Sequence, residues 1–96
     1  MFYLFQEELK FSHRSRLDII ADVLNEAVEG AKKTRIMYKS NLSYRQLQTY
    51  LDFVLNSGLL TKSESGSVGN FSLYKTTAKG KAFLRAYRDL NALLVT

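Results

Sequence analysis

Between Tyr44 and Thr49 the chain sets a phenol, a guanidinium, a carboxamide and a hydroxyl on neighbouring turns: Tyr44, Arg45, Gln48 and Thr49. Arg45 offers a planar fork of N–H donors and Gln48 a paired donor and acceptor. These patterns match the O6/N7 edge of guanine and the N6/N7 edge of adenine. Around them stand groups suited to phosphate oxygens: Lys32, Lys33, Arg35, Lys39 and Ser43 ahead of the stretch, and Lys62 and Lys75 after it. A cation set against a phosphate releases a condensed counterion, so such a set attracts polyanions.

To act together these side chains must share one helix face. Ser43 and Gln46 form a capping box, a hydroxyl for the first free backbone N–H groups and an amide reaching back, which starts a helix at Ser43. Asn56-Ser57-Gly58 ends it, with glycine where the chain enters a left-handed conformation. On the wheel of this helix over 43–57, Leu47, Tyr50, Leu51, Val54 and Leu55 fall together, and Arg45, Gln48, Thr49, Asp52 and Asn56 fall opposite. The segment before it, Thr34 to Lys39, makes about two helical turns, and only Ser40-Asn41-Leu42 separates it from the cap. That spacing fits a helix-turn-helix; an ordinary helical hairpin is the alternative.

Ninety-six residues, 46% hydrophobic, suit a single domain with one modest core. With no cysteine there is neither a disulfide framework nor a thiolate metal site, which permits an intracellular compartment. Phe2-Tyr3-Leu4-Phe5 lacks a basic leader and a long apolar run, so neither a signal peptide nor a membrane span is expected. The net charge of +5 conceals an asymmetry: residues 1–30 carry −3, residues 31–81 carry +7 and residues 82–96 carry +1. The positive charge therefore sits on the helix-turn-helix and on the extended segments C-terminal to it. His13 is the only histidine, beside Arg14 and Arg16, and no paired carboxylates fall where a core would bury them, so no catalysis, metal or cofactor is expected.

The rest of the chain supplies scaffold. Residues 1–11 are aromatic: Phe2, Phe5 and Leu9 have helical spacing, which favours a helix, while Phe2 to Phe5 would equally form a short strand, and either would dock on the core or on a second chain. Ser15 and Asp18 open a further helix whose stripe is Leu17, Ile20, Ala21, Leu24, Ala27 and Val28, closed by Gly30. After Gly58 come two extended segments, Leu59 to Glu64 and Phe71 to Thr76, joined by a glycine-rich turn; Phe71, Leu73 and Lys75 share one side of the second, and Ser72, Tyr74 and Thr76 the other. A last helix runs from about Thr77 to Val95, with Phe83, Ala86, Leu90 and Leu93 as its stripe and Tyr87 and Leu94 widening it. Tyr38 and Tyr50 read as core residues with surface hydroxyls, and Met37 as packing.

Helix, helix, helix, strand, strand, helix is the order of a winged helix-turn-helix, a mainly α, α+β fold in which the hairpin is the wing. The blocks Lys33-Thr34-Arg35-Ile36-Met37-Tyr38 and Asn41-Leu42-Ser43-Tyr44 resemble those of the small archaeal winged-helix DNA-binding proteins of the Sulfolobus ten-kilodalton chromatin type. Thr77-Ala78-Lys79-Gly80 resembles that family's entry into its last helix, and the likeness runs from about Arg16 to Arg88. Two features depart from the family pattern: the last helix is shorter than the family's antiparallel coil, and the aromatic segment before Ser12 is longer.

The resemblance implies a dimer that binds double-stranded DNA, often with little sequence preference, as a cytoplasmic, nucleoid-associated chromatin protein or transcriptional regulator. The expected division is an extension over 1–14, the winged helix-turn-helix over 15–76, and a C-terminal dimerisation helix over 77–96. Helix 43–57 would enter the major groove, with Tyr44, Arg45, Gln48 and Thr49 on base edges and the seven phosphate-directed residues named above on the backbone. Tyr87, Leu90, Leu93 and Leu94 would pair two copies, with help from the N-terminal segment. The rival reading is a winged-helix module that docks on protein and leaves DNA alone.

Overall fold

The computed structural model describes residues 14–65 and 71–94, which form four helices and one hairpin. Helix α1 (Arg16–Glu26) starts on a full capping box: the Ser15 hydroxyl accepts from Asp18 N–H, and the Asp18 carboxylate accepts from Ser15 N–H. Helix α2 (Lys33–Lys39) has no side-chain cap. Helix α3 (Tyr44–Asn56) has the box expected of it: Ser43 Oγ accepts from Gln46 N–H at 3.2 Å and Gln46 Oε1 from Ser43 N–H at 3.0 Å. Two left-handed residues make the turns on either side of α3. Asn41, at φ 56°, bends the chain between α2 and α3, and Gly58, at φ 77°, ends α3 as the sequence predicts.

Strand β1 (Leu60–Ser65) pairs antiparallel with β2 (Phe71–Thr76), Leu60 facing Thr76 and Lys62 facing Tyr74. Ala31 adds a third, one-residue rung, exchanging both backbone hydrogen bonds with Tyr74 at 2.8 and 2.9 Å. This pairing also explains why α1 ends at Glu26, before Gly30. The Ala27 carbonyl accepts from Thr76 N–H of β2, and the Leu24 carbonyl from the Thr76 hydroxyl, so the strand satisfies acceptors a longer helix would have used.

Helix α1 is the centre of the core, packed against α2, α3, β2 and the last helix, α4 (Ala78–Leu94). Its buried face is wider than the sequence stripe and rotated from it: Ile19, Ile20, Ala21, Val23 and Leu24 are buried, while Leu17 is exposed. Val23 and Leu24 join Ile36 of α2 and Leu47, Leu51 and Val54 of α3 as the best-enclosed side chains. In α4 the inward line is Gly80 and Leu84, flanked by half-buried Phe83 and Tyr87, whose rings stack 6.5 Å apart. Of the stripe read from the sequence, Ala86, Leu90 and Leu93 face outward, the last two on the stretch expected to pair two copies.

The Tyr87 hydroxyl donates to Asp18, linking α4 to the capped end of α1. Burial alone would raise the Asp18 carboxyl; the hydrogen bonds from Tyr87 and Ser15, aided by the charge of Arg14, hold it below its ordinary value. Burial, then the bond to Asp18, raises Tyr87. A depressed folded-state pKa contributes stability above the unfolded carboxylate value and loses it as pH falls through the folded one. Asp18→Asn is therefore expected to melt below the parent chain at neutral pH, with the gap closing under acid conditions. Thermal melts of both chains from about pH 7 to about pH 3 check this, and a gap that stays constant with pH would contradict it.

Candidate nucleic-acid interface

The apolar side of α3 is committed to the core through Leu47, Leu51 and Val54, with Tyr50 and Leu55 half-buried beside them, so its opposite side is the one presented outward. On that side Tyr44 is 64% exposed, and Arg45 and Thr49 are exposed. The Thr49 hydroxyl donates back to the Arg45 carbonyl at 3.1 Å, a local bond that leaves the Arg45 side chain unengaged by it. Gln48 is different. It is half-buried, its Oε1 accepts from Lys33 Nζ at 2.6 Å, and its Nε2 donates to Asp52 Oδ1 at 3.4 Å. Lys33 Nζ also donates to the Tyr44 hydroxyl at 3.5 Å and lies 4.9 Å from the centre of the Tyr44 ring, a cation–π contact. The Ser43 hydroxyl is the acceptor of the cap, which leaves its own O–H to donate outward.

The basic residues divide into groups. Lys32, Lys33 and Lys62 line one groove of about 350 Å³ between the start of α2 and the hairpin, together with Thr34, Ser72 and Tyr74. The strand register explains the position of Lys62. Side chains of facing residues point to the same side of a sheet, so Lys62 shares its side with Tyr74, whose ring is buried, and is brought next to α2. Lys75 faces Thr61 and lies on the other side of the hairpin, so the two wing lysines are not brought together. Arg35 reaches Glu26 at 3.6 Å, and Lys39 is exposed at the end of α2. On α4, Leu93 is 80% and Leu90 49% exposed, with Leu94 also exposed, whereas Tyr87 turns inward to Asp18.

Two residues of this region escaped the sequence reading. Tyr38, expected in the core, is 84% exposed at the end of α2. The signal was present: Ile36 is the one fully buried residue of this seven-residue helix, and a step of two residues turns about 200° around the axis. Arg14 donates to the Asn41 carbonyl in the turn at 3.3 Å and bridges Asp22 at 2.8 Å, which ties the start of α1 to the α2–α3 corner. Nothing local in the sequence announces that contact. His13, and the helix expected over residues 1–11, lie outside the described residues. Among those residues no helix is long and apolar enough to cross a membrane.

Comparison with known proteins agrees with this architecture. The crystal structure of Sso10a-2, a DNA-binding protein from Sulfolobus solfataricus, superposes with a TM-score of 0.73 and 25% identity, over 83% of this chain and 81% of that one. BpsR of Bordetella bronchiseptica, whose DNA binding is regulated by 6-hydroxynicotinic acid, superposes with a TM-score of 0.68 over 97% of this chain and 70% of its own. Its 11% identity makes that a likeness of fold alone. An uncharacterized protein of Methanocaldococcus jannaschii is 38% identical over 52 residues, which is 53% of this chain and 54% of that relative, so the match spans about half of each. The resemblance drawn from the Lys33–Tyr38 and Asn41–Tyr44 blocks is thus met by a Sulfolobus structure and an archaeal relative. The winged helix-turn-helix family matches residues 13–94, from just before α1 to the last residue of α4, and the chain is a member of that family.

Proposed function

We propose that this protein binds double-stranded DNA, with α3 in the major groove and the groove-lining lysines on the phosphate backbone. The observation that carries the reading is the juxtaposition of the outward face of α3, bearing Tyr44, Arg45 and Thr49, with a groove lined by Lys32, Lys33 and Lys62. A helix of this width fits the major groove, where Arg45 would address guanine O6 and N7. Gln48, if released from its partners, would address adenine. Lys32, Lys33, Lys39, Ser43 and Lys62 would fix register on the phosphates without reading sequence, with Arg35 and Lys75 at the margins. Residues 15–76 carry the DNA contact in this reading, and residues 77–96 pair two copies through Leu90, Leu93 and Leu94, next to Tyr87. A chromatin-type protein or a transcriptional regulator would both use this arrangement.

The test is fluorescence anisotropy of a random-sequence duplex titrated at several salt concentrations, with light scattering on the same sample to count chains. Four phosphate contacts per protomer give log K against log salt a slope of about −3.6 for each protomer engaged, about −7 when both chains of a dimer sit on the duplex. A dimer with that slope is the expected result. Absent binding, or binding indifferent to salt, would favour a module that docks on protein.

A further inference from the structure

We propose that Lys33 sets what α3 can read, by holding the Gln48 carboxamide in one orientation and away from base edges. The functional half of this proposal rests on the duplex-binding reading above. Lys33 Nζ donates to Gln48 Oε1 at 2.6 Å, and Gln48 Nε2 donates to Asp52 Oδ1 at 3.4 Å. An ammonium has only donors and a carboxylate only acceptors, so the chain from Lys33 through Gln48 to Asp52 closes in one way. The amide oxygen must face α2 and the nitrogen must face Asp52. Reading adenine needs the same oxygen to accept from N6 and the same nitrogen to donate to N7. Both ends of Gln48 are therefore engaged before a base arrives, and the bond to the ammonium is of the strong, charge-assisted kind.

Lys33 can keep this hold while bound to DNA. Its ammonium carries three N–H donors, and Gln48 and the Tyr44 hydroxyl take two directions at most, which leaves one for a phosphate oxygen in the groove it lines. A single side chain thus anchors the backbone and mutes the adenine-reading group of the adjacent helix. The readable surface is then Arg45, Tyr44 and Thr49, and the protein binds broadly. Lys33 is in this sense a positioning residue, acting on bases through Gln48.

Lys33→Met removes the donors and keeps the aliphatic stem. Affinity measured across a library of duplexes is expected to fall on average, while the ratio of best to worst duplex rises by about fivefold or more, through adenine-containing sites, since a bidentate pair discriminates to that degree. Adding Gln48→Ala to Lys33→Met should return the ratio to that of the parent. Lys33→Arg, which still donates to the amide oxygen, should keep the parent profile. In the free protein the side-chain amide resonances of Gln48 should shift in Lys33→Met and in Asp52→Asn. A uniform loss for every duplex in Lys33→Met, with or without Gln48, would overturn the proposal, as would unmoved Gln48 resonances. If the parent chain binds no duplex, the DNA reading itself falls, whereas a uniform loss sinks only the role of Lys33.

Discussion

Gly80→Ala is expected to destabilise the fold by about 3 kcal/mol, lowering the melting temperature by roughly 10–25 °C for a domain of this size. Helix propensity points the other way, since alanine in place of glycine inside a helix gains about 1 kcal/mol. Geometry decides the sign. A Cβ at Gly80 would stand 2.2 Å from the Leu59 carbonyl oxygen and 2.5 Å from Thr76 Cγ2, and the first of these is backbone that cannot rotate away. That backbone is held on several sides. The Leu59 carbonyl accepts from Thr77 N–H at 3.0 Å, the Thr77 hydroxyl donates to the Gly58 carbonyl at 2.7 Å and accepts from Gly80 N–H at 3.0 Å, and Lys79 reaches the Ser57 carbonyl at 2.8 Å. The start of α4 is thus locked onto the turn that joins α3 to the hairpin. A side chain at Gly80 would push that turn and alter how the wing sits beside α3. Circular-dichroism melts of the two chains check the effect, and an unchanged or higher melting temperature would contradict it.

Replacing Lys32, Lys33 and Lys62 together with alanine is expected to lower affinity for a random-sequence duplex by roughly two to three orders of magnitude at about 0.1 M salt. Each lost phosphate contact removes about 0.9 from the salt slope, so the triple variant should be flatter by about 2.7 for each protomer that contacts the duplex. A random pool averages over base preference, which keeps the role of Lys33 towards Gln48 out of this measurement. Lys75→Ala is the internal control, because it removes one lysine charge from the opposite side of the hairpin. It should weaken binding by about tenfold at most. If Lys75→Ala equals the triple variant, or if the triple variant binds as the parent does, the groove is not where the backbone lies.

The parts of this molecule legible in its sequence are those specified by local chemistry. Ser43 with Gln46 and Gly58 marked both ends of α3 because a cap and a left-handed glycine act within one turn of the residues they satisfy. The turn around Asn41 registered for the same reason. Packing direction was harder. In α1, Leu17 and Ile19 exchange roles because the helix is contacted on several sides, so a single-stripe wheel does not define its inside. In α4 the stripe read from the sequence omits Leu84, which is buried, because two apolar lines coexist on a helix that extends beyond the core it covers. The candidate site shows the same division. Arg45 and Thr49 stand outward as their place opposite Leu47 and Leu51 requires. The capture of Gln48 by Lys33, fifteen residues away in sequence, and the separation of Lys62 from Lys75 depend on how α2 and the strand register meet α3, and neither leaves a trace in residue spacing.

The most direct measurement is an amide NMR titration of the uniformly nitrogen-15-labelled chain with a short duplex. Binding through α3 and the lysine groove predicts the largest perturbations at Ser43 to Thr49, at Lys32 to Thr34 and at Lys62, with the acidic side of α1 around Asp22 unaffected. Perturbations confined to α4, or none on α3, would contradict it.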